Sequence, residues 1–353
     1  MSTPAKKKRF AVPREIRIIL SLGLLVFIFE YLVVPQFDSA RHSLHLLASL
    51  NPFLVIFAVV CELAAIYAYV ELSRTVLFPH APSRYNTLRV NLAGLMIGHV
   101  LPGGTAPAGA LSYRIYSELG VPKETSAFGL ATQGTGSAVV LNVIFWIALV
   151  ISIPLRGFNP AYGFAALAGV FLLMAFFGTI MLLTRGQQHA DAWLRALAKR
   201  VPRLDPEKVS TLLSKIVERI SMLIHNRRNL YWALTWAGLN WIFDAACLWV
   251  FIWAFGHAIS PIDLLVAYGL ANVLAAIPIT PAGLGVVEGV LIPTLVGFGV
   301  PHNQAILAVL SYRLINFWIP IPIGGVAYAS LEWRRKNSTE STKLSENDSE
   351  PDS

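Results

Sequence analysis

An apolar run broken by proline and glycine occurs twice in this chain, and it restricts the possible folds more than any other feature. The first copy is residues 98–122, GHVLPGGTAPAGALSYRIYSELGVP; the second is residues 277–301, IPITPAGLGVVEGVLIPTLVGFGVP. An offset of 179 residues lays Pro102 on Pro281, Gly104 on Gly283 and Gly120-Val121-Pro122 on Gly299-Val300-Pro301 without a gap. The chain is 55% hydrophobic and only 14% charged, whereas soluble domains carry about a quarter charged residues. Its surroundings are therefore a bilayer. In hydrocarbon, backbone groups freed by Pro and Gly cannot go unpaired, so each break must be buried in protein or line a wet cavity. Paired breaks at corresponding positions of two halves point to a transport site.

Unbroken apolar runs at 16–34, 52–77, 123–153, 162–183, 229–255 and 302–331 predict six spans. The first of them has 19 residues, longer than the apolar core of a cleaved signal peptide, so it reads as a retained span. The broken segments fall at 88–119 and 262–298. Each arm of about 14 residues rises roughly 21 Å, too short to cross but long enough to reach the midplane. Charge decides between the two topologies. Residues 1–14 hold Lys6, Lys7, Lys8 and Arg9, residues 185–228 hold ten Lys/Arg against four Asp/Glu, and Arg334, Arg335 and Lys336 follow the last span. If both broken segments crossed, the 185–228 cluster would lie outside, against the positive-inside tendency. If both are re-entrant, every basic cluster is cytoplasmic and the two hairpins enter from opposite faces.

The predicted fold class is thus an all-α polytopic membrane protein, a helical bundle with two inverted-repeat re-entrant hairpins. Residues 15–331 form the membrane domain, between a basic cytoplasmic N-terminus (1–14) and a disordered cytoplasmic tail (332–353) rich in Ser, Glu and Asp. The expected location is the inner (plasma) membrane. Within 185–228, Val209, Leu212, Leu213, Ile216, Val217, Ile220 and Leu223 keep helical spacing, with Lys208, Lys215 and Arg219 on the other side. That pattern fits a helix lying on an anionic lipid surface, or one packed on the bundle.

Ionisable groups at bilayer depth are costly and default to functional candidates. Glu62, Asp244 and Arg313 lie near the middle of their spans, Glu288 just past the second break, His99 just before the first, and Arg114 in the outgoing arm of the first hairpin. Arg313 can pair with Glu288 or Asp244 as a bundle lock, or hold a substrate anion. Helix N-termini after the breaks present unpaired N–H groups to the membrane interior, suited to phosphate. Gly103, Gly104, Gly283 and Gly285 would let a headgroup approach the backbone. Candidate substrate-binding residues are therefore Arg114, Arg313, Glu288 and these four glycines; Glu62, Asp244 and His99 are candidates for ion or proton coupling. No HExxH, GxSxG, GxxxxGK[ST] or dinucleotide fingerprint occurs, so no catalytic residue and no cofactor is predicted. Cys61 and Cys247 lie in apolar runs without metal spacing, so no metal is expected either. The net charge of +8 gathers between apolar runs, which signals membrane orientation rather than nucleic acid.

LPGGTAPAG followed by Tyr113-Arg114, PAGLGVVEG with Glu288, and Ser311-Tyr312-Arg313 before a Pro/Gly-rich finish resemble the membrane domain of lysylphosphatidylglycerol synthases, the flippase domain and its stand-alone relatives. The resemblance covers roughly residues 15–331. It implies a lipid-flipping module whose partner is a membrane lipid, with a stand-alone member expected here, lacking the aminoacyl-transferase domain. A homo-oligomer or a partner lipid-modifying enzyme fits the same pattern. Two other readings stay open on the residues: an intramembrane lipid transferase with Glu288 or His99 as base, and a scaffold subunit for a separate enzyme.

Overall fold

The computed structural model describes residues 50–101, 104–156, 174, 227–275 and 281–347. The predicted spans 16–34 and 162–183, nearly all of the amphipathic stretch 185–228, and Gly103 lie outside them. Among the described residues every regular element is helical. These are α1 (Pro52–Val76), α2 (Arg84–Val100), α3 (Thr105–Glu118), α4 (Lys123–Arg156), α5 (Arg227–Ala254), α6 (Pro261–Ala275), a 3₁₀ turn (Pro281–Gly283), α7 (Val286–Gly297), α8 (His302–Arg313), a π turn (Leu314–Trp318) and α9 (Pro320–Asn347). Among the described residues four helices are long and apolar enough to cross a membrane: Pro52–Val76, Lys123–Ser152, Arg227–Ala254 and His302–Arg335. They coincide with four of the predicted spans.

Local chemistry sets the boundaries. Asn51 Oδ1 accepts the Phe53 N–H at 3.0 Å, and Pro52 follows at the first helical position of α1. Ser83 Oγ accepts the Asn86 N–H at 3.3 Å, so α2 begins at Arg84, ahead of the predicted arm. The two Gly-Val-Pro stops are built alike. Gly120 (φ 86°) and Gly299 (φ 95°) are left-handed. Val121 N–H donates to Tyr116 O and Gly120 N–H to Ser117 O, at 3.0 and 3.2 Å. Val300 N–H donates to Leu295 O and Gly299 N–H to Val296 O, at 3.0 and 2.9 Å. Both are Schellman stops, and every residue in them corresponds at the offset of 179.

The broken segments fold back on themselves. Across α2 and α3, a Cβ at Gly94 would stand 3.0 Å from Ser112 Oγ and one at Gly98 3.7 Å from Ala108 Cβ, so α3 returns antiparallel along α2. The second pair, α6 and α7, packs similarly through the 3₁₀ turn. The long helices α1 and α5 pack most extensively, α4 holds α6, and α9 holds α2, so each hairpin leans on a long helix of the other half. Phe145, Phe251, Leu248, Tyr268 and Leu291 fill the interior, while Phe53, Ile56, Val60 and Leu63 on α1 and Val326 on α9 face outward. An outward apolar belt of this kind is what a lipid-facing surface requires.

One boundary departs from expectation. α9 continues through Asn347, so residues 332–347 are helical where a disordered tail is predicted. That segment contains no Pro or Gly to stop a helix, and Glu332 pairs with Arg335 one turn on at 2.6 Å.

Candidate functional site

The two broken segments meet. A cavity of about 320 Å³ is lined by Gly94, Gly98, His99, Gly104 and Thr105 of the first hairpin and by Ala275, Ala282 and Gly283 of the second. At the first tip, a Cβ on Gly104 would fall 2.2 Å from Gly98 O; at the second, one on Gly283 would fall 2.5 Å from Ala275 Cβ. Glycine at these positions therefore lets the arms of each hairpin close on each other, and the space a side chain would take is protein rather than headgroup. Gly285 has no such neighbour. Ala282 is held at φ 42°, a left-handed conformation disfavoured for a residue with Cβ and frequent at functional sites.

The remaining wall sets a few uncharged polar side chains among apolar ones such as Leu95 and Leu130. Ser73 Oγ accepts from Asn91 Nδ2 at 2.8 Å and from Gln133 Nε2 at 2.7 Å, and donates to Tyr69 O at 2.9 Å. Tyr116 OH donates to Asn91 Oδ1 at 3.1 Å. Asn91, Gln133, Tyr69 and Ser112 all reach the cavity. These residues escape a search for ionisable groups; the signal that finds them is an amide inside an apolar run, since a buried amide without partners is expensive.

Behind the second tip, Arg313 Nε donates to Glu288 Oε1 at 2.6 Å, and the other oxygen of Glu288 accepts the Gly285 N–H at 2.6 Å. Of the two partners open to Arg313 by sequence, it takes Glu288. The carboxylate thus sits where an anion would sit at the start of α7, capping its N-terminus while pairing with the guanidinium. The guanidinium also lies 4.6 Å from the centre of the Phe317 ring, and its Nη2 is buried without a hydrogen-bond partner among the described residues. His99 stacks on the same ring, centroids 4.5 Å apart. Its Nδ1 lies 3.1 Å from Phe317 O; a carbonyl only accepts, so Nδ1 carries the hydrogen.

Glu62 and Asp244 converge at the middle of the bundle. Asn316 Nδ2 donates to Asp244 Oδ1 at 2.7 Å and to Glu62 Oε1 at 3.3 Å. Asp244 Oδ2 accepts from Tyr312 OH at 2.9 Å and also from Tyr268 OH. Both acids are buried. Asn316 and Phe317 belong to the π turn, closed by Ile319 N–H on Leu314 O at 3.0 Å. Pro320 has no N–H to offer Asn316 O, and the helix widens just ahead of it.

The structure does not bring Arg114 to this group. It stands on the half-exposed side of α3, paired with Glu118 at 3.5 Å and with Glu332. Ser112 reaches the cavity, and two residues further along a helix is the opposite face. Among the described residues no cluster of three His, Cys, Asp or Glu could hold a metal ion, and Cys61 and Cys247 are buried free thiols.

Two curated proteins are similar to this chain in sequence. A UPF0104 membrane protein of Methanothermobacter thermautotrophicus is 25% identical over 67% of this chain and 72% of its own length. The inner membrane protein YbhN of Escherichia coli is 24% identical over 64% of this chain and 63% of its own, slightly under two thirds of that relative. The sequence profile of the lysylphosphatidylglycerol synthase TM region matches residues 14–324, which takes in both hairpins, the polar wall and every charged group of the bundle centre. The chain belongs to the lysylphosphatidylglycerol synthase TM region family.

Proposed function

We propose that this protein moves a polar lipid, a phospholipid or a polyprenyl-phosphate-linked lipid, from one leaflet to the other. The observation that carries the reading is the convergence of both hairpin tips on one cavity of about 320 Å³ that Asn91, Gln133, Ser112 and Tyr69 also reach. A headgroup crossing a bilayer needs such a place, because its polar atoms find no partners in hydrocarbon. In this reading the hairpins are re-entrant, enter from opposite faces, and alternate in exposing the cavity. Arg313 and the backbone N–H groups at the second tip hold the lipid phosphate. Arg114 serves at the surface, where its charge is already shared with Glu118 and Glu332. Both termini face the cytoplasm of an inner membrane, and residues 185–228 rest on anionic lipid.

The test is reconstitution into liposomes whose labelled phospholipid starts in both leaflets, with dithionite added outside to quench the outer one. Protein-dependent quenching beyond the outer half supports the reading. Quenching that stops at one half, with every headgroup in a panel of zwitterionic, anionic, aminoacylated and polyprenyl-phosphate lipids, overturns it.

A further inference from the structure

The carboxyl pair at the bundle centre has a hydrogen-bond inventory that its two members do not share equally. Asp244 accepts three donors, the hydroxyls of Tyr268 and Tyr312 and the amide of Asn316. Those donors suit an ionised carboxylate, which can only accept. Glu62 is 6% exposed and receives only the long second bond from Asn316. Its Oε2 is buried with no partner among the described residues. Both carboxyl groups accept from one nitrogen, Asn316 Nδ2, at 2.7 and 3.3 Å. Two carboxylates sharing one buried amide repel each other, and a single proton on one of them removes that repulsion.

Other charges do not remove that repulsion. Among the described residues, the titratable groups facing the pair are Cys61 from α1, Cys247 from α5, Tyr268 from α6, and Tyr312 and Arg313 from α8. The only cation in that set, Arg313, is held by Glu288 of α7.

We infer that Glu62 and Asp244 form a one-proton site, with the proton resident on Glu62 and Asp244 ionised, and that release of this proton drives the lipid movement proposed above. The coupling rests on that proposal; the proton site does not. Release to water leaves two carboxylates facing each other at bilayer depth. Among the described residues Arg313 is the cation that faces the pair, so the second negative charge competes with Glu288 for it. An Arg313 drawn toward the pair leaves Glu288, the acceptor of the Gly285 N–H, without its guanidinium and so loosens the hairpin tip. The π turn sits between the two sites: Asn316 touches both acids and Phe317 lies under Arg313. A proton is therefore exchanged for an altered hairpin tip through one turn of helix. His99 takes no part, since its Nδ1–H is committed to Phe317 O.

Infrared spectroscopy of the purified protein reads the proton directly. Wild type is expected to show a protonated-carboxyl stretch that moves on exchange into D₂O and disappears in Glu62→Gln. Asp244→Asn keeps an acceptor opposite Glu62 and should retain the band at a shifted frequency, which covers the case of a Glu62→Gln protein that does not fold. Absence of any Glu62-dependent band from mildly acidic to mildly alkaline buffer overturns the proton site. In the second arm, proteoliposomes carry labelled phosphatidylglycerol and a pH-sensitive dye inside. A one-proton step changes the ratio of its two forms about tenfold per pH unit, so an imposed pH difference of one unit should alter wild-type lipid flux by up to that factor. The flux of Glu62→Gln should not respond. Equal wild-type flux with and without the gradient overturns the coupling. Lipid that never moves in wild type overturns the transport reading and the coupling together, and leaves the infrared band to decide the proton site.

Discussion

Removing the guanidinium of Arg313 tests how the second hairpin is held. In Arg313→Ala, Glu288 loses the 2.6 Å bond from Nε while its other oxygen keeps the Gly285 N–H. Breaking a fully buried pair on one side costs about 3–5 kcal/mol. Here the Arg313 side chain is 7% exposed but that of Glu288 is 21%, so water relieves part of the stranded charge, and about 2 kcal/mol is expected on the same scale. Loss of the guanidinium over Phe317 adds about 0.5–1 kcal/mol. The sum is about 2–3 kcal/mol, or roughly a 3–4 °C fall in Tm, since the unfolding entropy scales with chain length. Tryptophan fluorescence during heating in mild detergent reads the shift. Arg313→Met combined with Glu288→Gln removes both charges and keeps apolar bulk, and should recover most of the loss. A Tm for Arg313→Ala within about 1 °C of wild type, or no recovery in the double variant, refutes the view that this ion pair secures the tip.

Further outcomes follow from the hairpin and the bundle centre. Gly104→Ala places a Cβ against Gly98 O and should lower Tm sharply, whereas Gly109→Ala, also on the cavity wall but with open space at its Cβ, should leave it unchanged; equal shifts would refute the close-approach argument. Tyr268→Phe removes one donor from Asp244 and should cost about 1.5–3 kcal/mol, as for a hydrogen bond to a charged group; detergent-unfolding midpoints check it, and no change means that Asp244 is not the acceptor. Single cysteines placed in 185–228 or the C-terminal tail should react with impermeant maleimide only from the cytoplasmic side, and those at 256–260 only from outside. Labelling of 185–228 from outside would refute the re-entrant topology.

Four spans and the two breaks in apolar helix are legible because they rest on physics that sequence displays. Long apolar runs must be helical in lipid, and Pro102, Gly104, Pro281 and Gly283 must break them. Glu62, Asp244 and Arg313 stood out because charge at bilayer depth is costly. Their neighbours did not. Tyr268, Tyr312, Asn316, Asn91 and Gln133 are neutral, common enough in apolar helices, and become significant only when separate helices bring them together. Arg114 shows the opposite failure. Its position after the first break suggested the site, yet the helical angle between it and Ser112 turns it outward, and periodicity alone could not say which of the two faces the second hairpin would meet. Residues 332–347 depart from the expected disorder for a related reason: their polar composition points to disorder, and the unbroken register of Glu332 and Arg335 carries the helix onward.

The π turn at Leu314–Trp318 has a consequence for everything downstream of it. An extra residue in one turn advances the phase of a helix by about 100°. Before the turn, α8 presents one stripe to α5 and α7; after it, α9 presents another to α2, where Gly324 comes so close that a Cβ would fall 2.2 Å from Leu92 O. One continuous span therefore keeps two appointments that a regular helix of the same length would miss by more than a quarter of a revolution. Excising a single residue between 314 and 318 would restore the regular winding and swing Gly324 away from α2, turning the seam between the two halves toward lipid.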